Sequence, residues 1–298
     1  MTIKDKYLKT IEECQSLPAM PAVATQVLEE TQRETADFSR IAQIVCADPA
    51  LASKMLRTVN SSFYGHAHAI STINHALVIL GLRAVKTLVL GFSLVSSLSK
   101  VSAKGFKFQP YWRRSMHAAT AARLLATQAH VAQPESCFLG ALLMDMGVLA
   151  LAAAVGEPYI RLLEKTPRHA DLAALERRTI DLDHAEVGGF LARRWRLPDV
   201  LATPIAHHHN ASAVQDPGLQ KISQVLELAN SCADVFVDDM PAAAVQATRQ
   251  AAQQLLNLAP EQCDAMLMQI EKATAELAAM FELKIGPGQK IETILAAA

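Results

Sequence analysis

Residues 82–98, LRAVKTLVLGFSLVSSL, are apolar nearly all the way round a helix, with Arg83 and Lys86 as the only charges. A helix without a polar face has to be wrapped by other protein. Residues 139–156 make the same demand, being small and apolar throughout except for one carboxylate, Asp145. Nowhere does the chain sustain the apolar–polar alternation of a half-buried strand. Alanine and leucine outnumber glycine and the β-branched residues, a mixture that favours helix. The expected fold class is therefore all-α, with these two runs as core helices.

Helix punctuation supports that expectation. Asp48-Pro49 is an N-cap followed by proline at the first helical position. Ser71 and Thr72 offer caps for INHALVIL, and Gly81 is placed to end it. Residues 100–110, KVSAKGFKFQP, form the best linker, framed by Gly105 and Pro110. The expected division is an N-terminal helical lobe over 1–105, a helical bundle over 106–235, and C-terminal helices over 236–298 that pack on the bundle. Two of those last helices are entered through proline, and in the second Cys263, Leu267, Ile270, Thr274, Leu277 and Phe281 form one mostly apolar stripe. The stripe is under three heptads long, which favours packing on preceding helices over a dimer seam.

The charge balance excludes little but is uneven. Net charge is −1, so bulk electrostatics draws the protein neither to nucleic acid nor to anionic membrane. Residues 201–298 are the acidic part, with 5 Lys and Arg against 11 Asp and Glu, a bias expected of a solvated face. Five scattered cysteines without a C-x-x-C pair indicate neither a disulfide frame nor a zinc knuckle. The start MTIKDKYLKTIEECQ has no apolar signal region, and the run at 139–156 is interrupted by Asp145. A reduced, soluble, cytoplasmic protein is the expectation, without membrane association. Helix–Gly81–helix superficially resembles a helix-turn-helix. Its second helix is too apolar to lie in a DNA groove, so DNA binding is not expected.

Asp145 cannot stay bare in such surroundings. An unpaired buried carboxylate costs several kcal/mol, so it needs a cation, a set of donors, or a raised pKa. His184 opens the helix DLDHAEVGG, and His207, His208 and His209 sit together in PIAHHHNAS. Three imidazoles and one carboxylate make a first shell for iron, manganese, nickel or zinc. Neighbouring histidines on a regular helix point about 100° apart. Two of the three could reach one ion only at a break, which Pro204 and Asn210 make reasonable. The competing reading is a polar His and Asp cluster that holds helices together with no ion.

Several segments together resemble one family. LPAMPAVATQVLEE, IVCADPALASKMLRTVNSSFYG, ISTINHALVILGLRAVKTLVLG, DHAEVGGFLARRWRLP and PIAHHHN are similar to the HDOD domain, the HD-related output domain of bacterial signalling proteins, from about Leu17 to Asn210. The resemblance implies a helical lobe packed on an HD-like helical bundle, here with a C-terminal helical extension. Two-metal HD phosphodiesterases hold one ion by an early His, a His-Asp pair and a late Asp. By resemblance these fall on His117, Met144-Asp145 and Asn230, so two of the four ligands are lost or weakened. The second ion would use Asp145, His184, His208 and His209, with His207 possible by a one-residue shift. The basic residue three positions after the His-Asp pair is replaced by Val148.

The resemblance thus implies a degenerate metal site in a non-catalytic signal-transduction or protein-interaction module, with at most one transition-metal ion. Its partner would be a signalling protein, docking at a groove that includes Asn60, Ser61, Ser62, Phe63 and Tyr64, unless these residues only cap a helix and close a turn. The alternative is a divergent metal-dependent phosphohydrolase acting on a nucleotide or cyclic dinucleotide, with Arg113, Arg114, Arg193, Arg194 and Arg196 as possible phosphate contacts. A nucleotide second messenger also stands as a possible ligand of the module.

Overall fold

The structure, a computed structural model, describes residues 2–33, 37–61, 64, 69–166 and 168–298. The described residues form helices and no strand, as the sequence required. They divide into two compact units: Pro18–Val101 with Glu276–Leu283, and Met1–Leu17 with Ser102–Ala275 and Lys284–Ala298. The first helix, α1 (Ile3–Glu12), therefore belongs to the larger unit and not to the lobe that the sequence placed at 1–105. Its Lys4 pairs with Glu186 of the larger unit, and Arg194 donates to the Glu12 carbonyl at 3.0 Å.

The smaller unit contains α2 (Ala22–Thr31), α3 (Phe38–Cys46), α4 (Pro49–Val59) and α5 (Ile73–Leu98). Its helix starts are written locally. Asp37 accepts from the Ser39 and Arg40 amides, Asp48 from those of Ala50 and Leu51, and Thr72 from that of His75. Gly81, at φ 80°, breaks α5, a conformation that costs glycine little and other residues much. Beyond the break Val85, Leu88, Val89, Leu94 and Val95 are buried, the core helix expected from LRAVKTLVLGFSLVSSL. Phe281 packs on Phe92 with ring centroids 4.4 Å apart, and Glu282 pairs with Lys54 at 2.7 Å.

In the larger unit, α6 (Phe108–Gln128), α7 (Pro134–Leu143) and α8 (Met146–Val155) lead to α9 (Glu157–Glu164), a short 3-10 turn (His169–Asp171) and α10 (Leu172–Ile180). Then follow α11 (His184–Arg194), α12 (Asp199–Ala206), α13 (Pro217–Asp234), α14 (Pro241–Leu256), α15 (Pro260–Met280), whose residues from Glu276 on belong to the smaller unit, and α16 (Ile291–Ala296). Alanines on α6 and α13 let those helices approach closely, with Ala118, Ala122, Leu226 and Ala229 in one core. Cys263, Leu267 and Ile270 join the same core, and Thr274 donates to the Thr120 hydroxyl at 3.1 Å. The stripe on α15 is thus consumed by packing within the chain.

Among the described residues two stretches, Ile73–Leu98 and Pro134–Val155, are long and apolar enough to cross a membrane, but 61% and 83% of their most apolar windows are buried inside the protein. Both serve as core. The second is not one helix. It is interrupted at Met144 and Asp145, and that interruption positions the site.

Candidate metal centre

Asp145 stands at the N-cap position of α8 and caps nothing, because its side chain is used elsewhere. The next turn is pressed against α11. A Cβ on Gly147 would overlap the carbonyl oxygen of His184 and the amide of Gly188, so only glycine admits the backbone-to-backbone crossing. The crossing brings His184, the first residue of α11, up to Asp145. Asp183 fixes that helix start by accepting from the Glu186 amide at 2.8 Å, while Glu186 accepts from the Asp183 amide at 3.2 Å.

α12 ends at Ala206, two residues after Pro204, and His207, His208 and His209 lie in the turn that follows. The turn gives the three histidines different surroundings. His208 is fully buried and donates through Nδ1 to the Ile205 carbonyl, 2.8 Å away, which places the proton on Nδ1. His209 Nε2 lies 2.8 Å from His184 Nε2. His207 belongs to neither cluster of donors and lines, with His209, Arg177 and Asn210, a surface groove.

Asp145 Oδ1 lies 3.4 Å from His169 Nε2, 3.6 Å from His184 Nε2 and 3.7 Å from His208 Nε2. Donor atoms bound to one ion at about 2.0–2.2 Å sit about 3.0–3.5 Å apart, so this spacing is close to that of a ligand shell. Among the described residues two sets of donors converge, Asp145 with His184 and His208, and His169 with His184 and His209. Asp145 Oδ1, His169 Nε2 and His208 Nε2 are buried without a hydrogen-bond partner. Such orphans are rare and call for a ligand or ion. The residues fit a transition-metal ion.

The surroundings tune these donors. Burial opposes the charge on Asp145, yet Arg114, helped by His169 and His184, holds its carboxyl well below the usual range. Burial pushes His208 down to about 4 and His169 down to about 3, which leaves both neutral and able to ligate. For His184 burial also disfavours the cation, but Glu176 outweighs it and raises the pKa. Glu176 is completely buried, accepts from His184 Nδ1 at 2.7 Å and from the His184 amide at 2.9 Å, and receives the Tyr159 hydroxyl. This carboxylate–histidine pair fixes the tautomer and aims Nε2 at Asp145.

The other oxygen of Asp145 is occupied. Arg114 Nε donates to Oδ2 at 2.9 Å, and its two remaining nitrogens donate to Asp234 Oδ1 and Asn230 Oδ1. Arg114 is 4% exposed, and its guanidinium is surrounded by oxygen acceptors. Burial raises the Asp234 carboxyl to about 7 despite the pairing with Arg114. His117, one turn further along α6, takes no part. It stacks on Phe236 at 4.2 Å, and its Nδ1 donates to the Arg113 carbonyl at 2.8 Å. Asn230 is present at the site but holds Arg114.

Sequence reasoning missed His169, Glu176 and Asp234. His169 belongs to no repeated pattern, only to the short turn in RHADL. Asp234 lies one turn beyond Asn230 on α13, as Arg114 lies one turn before His117 on α6. Helical spacing was the available signal for both.

In the smaller unit the residues proposed for a groove are largely spent on the backbone. Asn60 Nδ2 donates to the Leu56 and Ile70 carbonyls at 2.8 and 2.7 Å, and its Oδ1 accepts from the Ile70 amide at 2.7 Å. Ser61 donates to the Thr58 carbonyl at 2.6 Å, and the Tyr64 amide donates to the Ser61 carbonyl at 3.2 Å. Ser62 and Phe63 lie outside the described residues.

Comparison with known proteins identifies the fold and the family. A Treponema pallidum (strain Nichols) protein, described only as uncharacterized, is 28% identical over 197 residues, 65% of this chain but 38% of that protein. The chain therefore matches less than half the length of that relative. Among solved structures, an HDOD domain protein of unknown function from Geobacter sulfurreducens superposes with a TM-score of 0.70 at 20% identity, covering 93% of this chain and 98% of that one. A candidate phosphohydrolase from Shewanella amazonensis SB2B gives 0.69 at 21% identity, covering 94% and 98%. At such identities the likeness shows a shared fold. The HDOD domain itself matches residues 17–211, which spans the lobe helices, Asp145, the α11 start and the histidine turn. The chain belongs to the HDOD domain family.

Proposed function

We propose that this chain is a signal-transduction module built around a one-ion centre, and that it does not hydrolyse phosphate esters. Asp145 Oδ1 with His184 and His208 would hold the ion, with His169 Nε2 3.4 Å from the same oxygen and His209 against His184; the ion would supply a fixed Lewis acid and tie α8, α11 and the histidine turn together. The observation that carries this reading is the Arg114 guanidinium, seated among Asp145 Oδ2, Asp234 Oδ1 and Asn230 Oδ1. Two-metal phosphoryl hydrolysis needs ions roughly 3.5–4 Å apart, sharing a carboxylate. Here the second oxygen of that carboxylate already faces a cation that cannot activate water. Met144, fully buried where a ligating histidine would stand, adds nothing to replace it. Output then passes to a protein partner through the module's surface.

Elemental analysis of protein purified without added metal tests the reading. The expected result is about one iron, manganese, nickel or zinc per chain, lost in Asp145→Ala and His184→Ala, with no turnover of a nucleotide and cyclic-dinucleotide panel. Two ions per chain, or hydrolysis abolished by Asp145→Ala, would overturn it.

A further inference from the structure

In the larger unit a cavity of about 150 Å³ lies between α6, α15 and the 285–289 loop. Three side chains that line it keep polar atoms without a partner among the described residues. His117 is 7% exposed, with its ring stacked on Phe236 and its Nδ1 proton given to the Arg113 carbonyl, so Nε2 is left over. Unlike the sealed atoms around Asp145, that nitrogen keeps some accessible surface, and His117 is part of the cavity wall. Arg113 gives only Nε, to the Ile285 carbonyl at 2.7 Å, and no carboxylate among the described residues pairs with it. Glu271 accepts from the Ile291 amide through Oε1 at 3.0 Å and keeps Oε2 free.

The chemistry of these atoms narrows the occupant. Burial above all keeps the His117 ring neutral, so Nε2 offers a lone pair and calls for a donor. The two uncommitted nitrogens of Arg113 form the fork that receives a carboxylate in two parallel hydrogen bonds. Glu271 repels a plain anion and favours an ammonium group, which also carries the proton that Nε2 lacks. A plain amine would in turn meet the charge of Arg113. Opposite charges around one cavity therefore select a molecule that carries both. The space admits roughly five or six non-hydrogen atoms.

We propose that this cavity is a receptor site for a small zwitterionic α-amino acid, of the size of glycine or alanine, its carboxylate on the Arg113 guanidinium and its ammonium shared between Glu271 and His117 Nε2. The proposal goes beyond the one-ion reading and does not need it, since no residue of this cavity belongs to the donor sets around Asp145. It supplies the module with a small-molecule input.

Calorimetric titration with glycine and L-alanine tests this, with acetate and methylammonium as the two half-ligands and L-leucine as the oversized control. Glycine is expected to bind with a Kd below about 1 mM, equally to metal-loaded and metal-stripped protein, and each control at least tenfold more weakly. Glu271→Gln keeps an oxygen for the Ile291 amide and loses only the charge that holds the ammonium. His117→Phe keeps the stack on Phe236 and loses the lone pair. Each weakens glycine binding about tenfold, and the nearly isosteric glutamine keeps the test open where the phenylalanine variant fails to fold. Wild-type protein that binds neither amino acid at about 10 mM overturns the proposal, as does a folded Glu271→Gln that binds like wild type. Acetate held as tightly as glycine would make the cavity a plain anion site and overturn it as well. None of these results bears on the ion, which elemental analysis decides.

Discussion

The two oxygens of Asp145 define two regions with opposite chemistry. Around Oδ2, Arg114, Asp234 and Asn230 satisfy one another inside the chain. Around Oδ1, imidazole nitrogens converge and several are left unpaired. The Oδ2 side carries its own cation and is closed. The Oδ1 side carries donors only and calls for a cation from outside. A single residue, an arginine on α6, accounts for the difference, and substitutions on either side separate the two kinds of site.

The largest effect is expected on the closed side. Arg114→Ala leaves Asp145 Oδ2 and Asp234 buried without their cation, and removing one partner of a buried pair costs about 3–5 kcal/mol. Urea unfolding measures the loss. Millimolar Mn²⁺ should restore part of it in this variant and none in wild type, since the same three oxygens then face a void. A loss under about 1 kcal/mol, or no Mn²⁺ response, would show that the guanidinium is not the cation of that region.

Next comes the backbone crossing that delivers His184. Gly147→Ala puts a methyl group onto the His184 carbonyl, and neither backbone can yield cheaply. Overpacking of this kind costs about 2–3 kcal/mol. Thermal unfolding reports the destabilisation, and metal uptake by the folded variant should fall with it because His184 is displaced from Asp145. A variant with full stability and full uptake would mean that the crossing does not set the site.

The two regions also differ in how far the sequence disclosed them. Fold class, the break at Gly81, the caps at Asp48 and Thr72, and the core role of both apolar runs follow from local patterns. On the open side, the one carboxylate in an apolar run and the HHH turn after Pro204 stand out for the same reason. The closed side depends on which turn of a helix faces inward. His117 and Arg114 differ by one turn of α6, as Asn230 and Asp234 do on α13, and no local rule chooses between them before α6, α8 and α13 are packed. His169 lies in a three-residue turn without a periodic signal, so only the tertiary fold brings it to Asp145. Chain assignment of the first helix escaped for a similar reason, because Lys4–Glu186 and Arg194–Glu12 join segments about 180 residues apart.

His117 sharpens the contrast, because it is a buried imidazole with no ion to find. Burial lowers its pKa from 6.5 to about 4. The unfolded chain then takes up the proton first, so stability is complete above about pH 6.5 and is lost as pH falls toward 4. Between pH 7 and 5 this group alone should remove about 2 kcal/mol. His117→Phe, which keeps the stack on Phe236, should flatten the stability profile by that amount without changing metal uptake. An unchanged profile, or a loss of bound metal, would return His117 to the list of ligands.

The smallest effect is expected behind the open side, where Glu176 holds His184. Glu176→Gln keeps an oxygen to accept His184 Nδ1–H and loses only the negative charge that strengthens the imidazole as a donor. Partners of ligating histidines are worth about 10–100-fold in metal affinity, and the retained hydrogen bond places this change near the low end, about tenfold or 1.4 kcal/mol. Tyr159→Phe removes the hydroxyl that steadies Glu176 and leaves the charge, so its effect should stay under about threefold. Competition against a chelator of known affinity measures both. If the two changes were equal, the charge of Glu176 would be irrelevant and the pair would be mere packing. An ordered decline from wild type through Tyr159→Phe to Glu176→Gln would show that the open side is supported from behind by a carboxylate, as the closed side is filled from in front by a guanidinium.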